Sequence, residues 1–107
     1  MSYQAPVDDI ALSLETSAGL SGLIKSGLLG DLDEDTVRAV IEEAGKFGGE
    51  TLRPLNAKGD EAGCTLADGR VTTPDGWAAA YKTWAGGGWA ALPCPAEFGG
   101  QGLPHIV

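Results

Sequence analysis

Asp31, Asp33 and Asp35 alternate in the order that opens a calcium-binding loop, and Glu42 stands at the twelfth place, where such a loop closes. The chemistry would be oxygen ligation of a hard cation. The sixth place, however, holds Thr36 instead of the Gly that the sharp turn needs, and an apolar helical period already begins at Val37. Helix capping is the reading these residues favour, and Asp8-Asp9 read as first-turn acids in the same way. Cys64 and Cys94 lie thirty residues apart, with no CxxC and no Cys/His cluster at zinc spacing. Two reduced thiols are expected, a single disulfide being the alternative. Cys64, in Gly63-Cys64-Thr65, has no activating base that the sequence identifies. His105 is the one histidine and stands near the end of the chain, where an ordinary surface residue is expected.

Two glycine runs could offer backbone N–H groups to a phosphate: Gly86-Gly87-Gly88 and Gly99-Gly100-Gln101-Gly102. Neither follows a predicted strand, and neither has the G-x-G-x-x-G order or a Walker Lys-Ser/Thr. The first closes a helix, where the dipole has the wrong sign for an anion; the second precedes a helix start at Pro104. Tight chain packing is expected of both. Trp77, Tyr81 and Trp84 stand at helical spacing, and with Trp89 they could make a binding face; with so few aromatics in the chain they are expected in the core. No catalytic, cofactor-binding or metal-ligating residue is assigned.

The elements that would carry these residues are helices. Pro6 opens a short one to Thr16, with Val7, Ile10 and Leu14 on one face, and Gly19 marks its end. Residues 17–32 interleave Gly19, Gly22, Gly27 and Gly30 with leucines and read as a loop with at most one weak helical turn. The strongest period runs from Asp33 to Leu55. Asp33 or Asp35 caps it, Val37, Val40, Ile41, Ala44 and Phe47 form one stripe, and Glu42 pairs with Lys46. Gly48-Gly49 interrupts this helix, either as simple weakness or as a place where another helix approaches; Leu52 carries the stripe on, and Pro54 ends or kinks it. Residues 56–73 are a polar connection in which Asp68-Gly69 signals a hairpin between Thr65-Leu66 and Arg70–Thr72. Thr73-Pro74-Asp75 read as N-cap, N1 and N2 of a third helix, which Gly86–Gly88 terminates. An irregular apolar tail follows, and Pro104–Val107 looks like the first turn of a further helix.

The chain of 107 residues carries 7 Lys+Arg against 15 Asp+Glu, a net charge of −8. Nucleic acid and anionic membrane are excluded as partners on that balance, since both need clustered cations. No apolar run approaches the length of a membrane span, the first ten residues lack a signal peptide's basic start, and a cytoplasmic protein is expected. Glycine supplies 17 residues, about twice the usual share.

The order of these pieces resembles a known family. Tyr3-x-Ala5-Pro6-x-x-Asp9-Ile10-x-x-x-Leu14 is similar to the short N-terminal extension of one branch of the flavin-dependent acyl-CoA dehydrogenases. Ile41-Glu42-Glu43-Ala44-x-Lys46-Phe47, then Leu52-x-Pro54-Leu55-Asn56 and Gly59-Asp60, resemble that branch's long N-terminal helix and its exit. Asp68-Gly69-x-Val71-x-Thr73-Pro74-x-Gly76-Trp77-x-x-Ala80-Tyr81, Gly88-Trp89 and Pro95-x-Glu97-Phe98-Gly99-Gly100-Gln101-Gly102-Leu103-Pro104 continue in register. The branch includes enzymes acting on 3-methylmercaptopropionyl-CoA. Gly48-Gly49 is the one departure within the match.

The resemblance implies a part of an enzyme. Such enzymes are several times longer, with an N-terminal helical domain, a middle β-domain and a C-terminal four-helix domain. FAD lies between the last two and a neighbouring subunit, and a Glu of the C-terminal portion removes the α proton of the acyl-CoA. Glu42, Glu43 and Glu97 are family-like acids, but none matches that catalytic position, so no catalytic or FAD-binding residue is carried over. The fold expected is all-α: about three helices with Gly-rich loops, residues 1–32 forming the extension and 33–107 an incomplete N-terminal helical domain. The function expected is a non-catalytic scaffold beside the substrate channel. Its partners would be the remainder of the same polypeptide or a homo-oligomer of it, with acyl-CoA as substrate and electron-transfer flavoprotein as acceptor for the full enzyme. The alternative is a stand-alone helical interaction module without activity. A stop codon after codon 107 would favour the module; an open frame into a β-rich segment would favour the enzyme part.

Overall fold

The structure, a computed structural model, describes residues 3–107. Helix α1 (Val7–Thr16) starts one residue later than expected, because Pro6 at φ −79° and ψ 63° serves as N-cap while Asp8 and Asp9 occupy the first turn. Gly19, at φ 66°, reverses the chain in a conformation that costs a Cβ-bearing residue dearly. The segment read as a loop then forms a real helix, α2 (Leu20–Lys25). Its own propensity is weak; burial of Leu20 against the next helix stabilises it.

Helix α3 (Glu34–Lys46) is capped by Asp33, whose carboxylate accepts a 2.6 Å hydrogen bond from the Thr36 N–H. Its expected stripe is buried in part. Val37, 2% exposed, and Ile41 pack with Leu20, and Val7, Leu14, Ile24, Leu29, Leu32 and Val107 close around them. Val40 and Phe47 are half-buried and Ala44 is exposed. An ion pair pins α1 across α3: Arg38 Nη2 donates to Asp8 Oδ1 at 2.6 Å and Arg38 Nε to Glu42 Oε1 at 2.7 Å. The expected Glu42–Lys46 pair is therefore replaced. Glu42 is taken by Arg38, and Lys46 turns to Glu43 one turn back.

Pro54 neither ends nor kinks the helix. Phe47–Leu52 widen into a π-helical turn, in which the Arg53 N–H donates to the Gly48 carbonyl five residues back. The chain resumes as α4 (Arg53–Ala62), with Pro54 in its first turn. A proline in an α-helix clashes with the carbonyl four residues earlier and lacks the N–H to bond it. The wider turn moves that carbonyl away and makes Pro54 a helix start, so the polar stretch through Ala62 is helical instead of a connection.

Gly63 (φ 62°) stops α4, and an antiparallel hairpin follows: β1 (Thr65–Ala67) and β2 (Arg70–Thr72), in the register Thr65↔Thr72, Leu66↔Val71, Ala67↔Arg70. Asp68 and Gly69, at φ 50° and 73°, form the type I′ kind of turn that the sequence signals. Helix α5 (Trp77–Gly86) begins three residues later than the Thr73-Pro74-Asp75 cap reading. The Trp77 N–H bonds the Pro74 carbonyl across a turn with Gly76 at φ 88°, which takes the place of a side-chain cap. Single 3₁₀ turns at Trp89–Ala91 and Ala96–Phe98 carry the tail back, and Val107 N–H closes a last turn on Pro104. The protein is thus a small, mostly helical domain with a minor antiparallel hairpin; the expected three helices become α1, α3 with α4, and α5, while α2 forms from the segment read as a loop.

Candidate functional site

The residues weighed for chemistry are dispersed. Asp33 is engaged as a cap, and hydrogen bonds from Thr36 hold its carboxyl below the usual aspartate value. Among the described residues no three His, Cys, Asp or Glu side chains converge on a metal-sized centre. Glu42 and Glu43 serve surface ion pairs, and Glu97 is exposed in a 3₁₀ turn. Cys64 and Cys94 are both free and exposed, and His105 is exposed in the terminal turn.

The glycine runs are built for packing. In the second run the N–H groups of Gly99, Gly100, Gln101 and Gly102 donate to the carbonyls of Ala96, Pro95, Ala91 and Cys94 at 2.9–3.2 Å. A Cβ on Gly100 would stand 2.0 Å from the Cys94 carbonyl oxygen. Those donors are used inside the loop, so they cannot cradle a phosphate. In the first run Gly87 N–H and Gly88 N–H close on Thr83 and Ala85 at the end of α5.

The most developed surface feature is an apolar groove of about 420 Å³ between α5 and the α3–α4 rod. Phe47 and Leu52 reach it from the π turn, Leu55 and Asn56 from α4, and Trp77, Ala80, Tyr81 and Trp84 from α5. Two glycines let the helices approach. Gly59 is buried under the Trp77 ring, where a Cβ would lie 2.6 Å from Cζ2. At Gly76 a Cβ would stand 2.8 Å from Leu55 Cδ2. Tyr81 leans on Trp84 with ring centroids 5.8 Å apart, and Phe47 stacks on Trp89 at 6.4 Å. Behind that stack a second apolar opening, about 450 Å³, lies between Ala39 and Val40 of α3 and Trp89, Leu92 and Leu103 of the tail.

This geometry corrects the expectation that the aromatic stripe is core. Ala80 alone of that face is buried; Trp77 is 45% and Tyr81 66% exposed. The stripe walls a groove that stays open to solvent. Its polar groups are Asn56, the Tyr81 hydroxyl and two indole N–H groups, so it can seat an apolar surface and offers no acid–base pair. Leu52, Leu55 and Asn56 belong to this site although the sequence put them at or past the end of a helix. Phe47 and Leu52 stand five residues apart and Leu52 and Leu55 three, so the available signal was an apolar stripe that continues across one widened turn.

A wider polar cleft runs between the N-terminal segment and α3, lined by Asp8, Asp9, Arg38, Glu42, Lys46 and Glu50. Glu42 and Asp8 raise the Arg38 pKa and Glu43 raises that of Lys46, both through hydrogen bonds first, so the cations are occupied. No helix among the described residues is long and apolar enough to cross a membrane.

No protein-family model matches the chain. Over all 107 residues the chain is 40% identical to the 3-methylmercaptopropionyl-CoA dehydrogenase of Ruegeria pomeroyi, and it spans 18% of that protein's length. The chain is homologous to the N-terminal part of an enzyme of the CoA dehydrogenase family.

Proposed function

We propose that the chain is the N-terminal helical part of an FAD-dependent acyl-CoA dehydrogenase of the extension-bearing branch, and that by itself it is a non-catalytic scaffold. The observation that carries this reading is the 40% identity sustained over the whole chain against only 18% of a far longer relative. The full enzyme would oxidise an acyl-CoA thioester to the 2-enoyl-CoA and pass electrons to electron-transfer flavoprotein. Residues 1–32 would be its extension and 33–107 the beginning of its helical domain, beside the substrate channel. The described residues do not fit FAD on their own: the loop N–H groups that could meet its pyrophosphate are bonded internally, and the chain is acidic. Flavin chemistry therefore belongs to the rest of the enzyme, and these residues supply packing.

A chimera tests the reading. This chain replaces the corresponding N-terminal part of the Ruegeria pomeroyi enzyme. The chimera is expected to purify with flavin and to reduce a dye in the presence of 3-methylmercaptopropionyl-CoA. The isolated chain, mixed with FAD and the same thioester, is expected to do neither. A chimera that folds without flavin, or an isolated chain that reduces the dye, would overturn the proposal.

A further inference from the structure

Asp-Gly occurs twice in the chain, as Asp68-Gly69 and Asp75-Gly76. The dipeptide carries its own chemistry. The backbone nitrogen of the glycine can attack the aspartyl Cγ, since no Cβ on the glycine hinders its approach. A five-membered succinimide forms, and the amide proton leaves with the side-chain hydroxyl as water. Water then opens the ring at either carbonyl. Opening at the backbone carbonyl leaves the chain running through Cβ, as isoaspartate, with a free α-carboxylate and no net change in atoms. Ring closure needs the glycine nitrogen to swing over the aspartyl Cβ–Cγ bond, a conformation outside the dihedrals of a closed β-turn. A turn that opens is therefore a turn that reacts.

The two turns are held differently. Asp68 and Gly69, at φ 50° and 73°, join β1 to β2. Each strand has three residues and all six are exposed, Leu66 at 73% and Val71 at 67%. Neither face of the ribbon is covered, and a two-stranded ribbon alone is marginal in water. Asp75 and Gly76 stand in the turn that the Trp77 N–H closes on the Pro74 carbonyl. Leu55 packs on Gly76 so closely that a Cβ there would stand 2.8 Å from Cδ2, and the Trp77 ring covers buried Gly59. Opening this turn lifts Trp77 from α4 and frays the start of α5, where the Ala80 N–H bonds the Gly76 carbonyl at 2.9 Å.

We infer that Asp68-Gly69 is a site of spontaneous modification, at which the folded protein converts Asp68 to isoaspartate, and that the fold withholds the same reaction from Asp75. The sequence offers both steps equally; packing separates them. The longer main chain of the product no longer fits a two-residue turn, so the Leu66↔Val71 register is lost with it.

The test ages the 107-residue chain in a buffer of about pH 6, where some carboxyl is still protonated, with and without urea. Trypsin then places the two steps in separate peptides, 59–70 and 71–82. The isoaspartyl form of each has the parent's mass and a different chromatographic retention. In urea both sites are expected to isomerise at similar rates. In the native chain Asp68 is expected to stay close to its urea rate and Asp75 to fall at least about tenfold below its own, because each rate follows the fraction of that turn that is open. Trp77→Ala, which removes the ring from Gly59, is expected to raise the Asp75 rate severalfold and leave that of Asp68 unchanged. Equal native rates at the two sites, or an Asp68 slowed as much as Asp75, would overturn the inference.

Discussion

Two carboxyls, those of Glu15 in the last turn of α1 and of the α3 cap Asp33, are tuned by local hydrogen bonds. The Ser21 hydroxyl lies 2.6 Å from Glu15 Oε2 and 2.5 Å from Glu34 Oε1; with a single proton it serves one of them at a time. Ser21 lowers the Glu15 pKa and Thr36 lowers that of Asp33. A depressed folded pKa means that the unfolded chain binds more protons, so stability rises with pH through that range. The contribution is in place above the ordinary carboxylate values and is lost as pH falls below about 4. Asp33→Asn keeps the cap and removes the titration. It is expected to leave the thermal midpoint at pH 7 nearly unchanged and to flatten its fall between pH 5 and pH 3. Asp33→Ala is expected to lower the midpoint at pH 7 by a few degrees, through loss of the cap. Glycines respond by what lies next to them. Gly100→Ala would press a Cβ into the Cys94 carbonyl, a backbone atom that no rotamer change relieves. It is expected to cost about 1–3 kcal/mol and to erase the hydrogen-exchange protection of Gly102 and Leu103, whose N–H groups bond within that loop.

The π turn is the element that sets the site. It carries Phe47 and Leu52 into the groove and lets the rod continue to Gly59, under Trp77. The sequence shows Gly48-Gly49 and Pro54 as two blemishes in one helix; only their joint effect, a widened turn that turns Pro54 into a helix start, explains both. Among the glycines of this rod outside the groove, the closest approach falls at Gly45, where a Cβ would meet Ala5 Cβ and Val7 Cγ2, each at 3.1 Å. At Gly48 and Gly49 the nearest atoms belong to Tyr3 at 3.7 Å, an ordinary contact. What approaches the glycine pair is the N-terminal segment at Tyr3; the contact with another helix, through Val7 of α1, falls at Gly45. Gly48→Ala and Gly49→Ala are each expected to stabilise by up to about 1 kcal/mol in urea unfolding, and Gly45→Ala to gain nothing because its contacts offset the helix propensity.

At the scale of the whole molecule, burial is thin. Leu20, Val37, Ile41 and Ala80 are the buried hydrophobic residues among those described, set in a body measuring 56 × 38 × 18 Å. Such a core falls short of the usual stabilisation, about 5–15 kcal/mol, so the isolated chain is expected to unfold at low urea. It should bind a hydrophobic dye such as ANS in its folded state, and Tyr81→Asp should cut that signal severalfold. X-ray scattering that returned a radius near 13 Å, the compact value, would contradict the open groove.

Periodicity and turn chemistry act over a few residues, and those features were legible without coordinates. They include α1, the Asp33 cap on α3, the Asp68-Gly69 hairpin, the end of α5 at the glycine run, and the packing use of Gly99–Gly102. The features that were not legible depend on partners distant in the chain. Leu20 organises α2 because Val37 and Ile41 cover it. Arg38 takes Glu42 from Lys46 because Asp8 stands across from it. Trp77 fits only because Gly59 lacks a side chain. An aromatic stripe at helical spacing says that a face is apolar and does not say whether anything covers it. Composition and spacing determined a helical domain with an apolar seam. Only the tertiary arrangement decided that the seam is left open, since burial is a property of which surfaces meet and not of which residues are present.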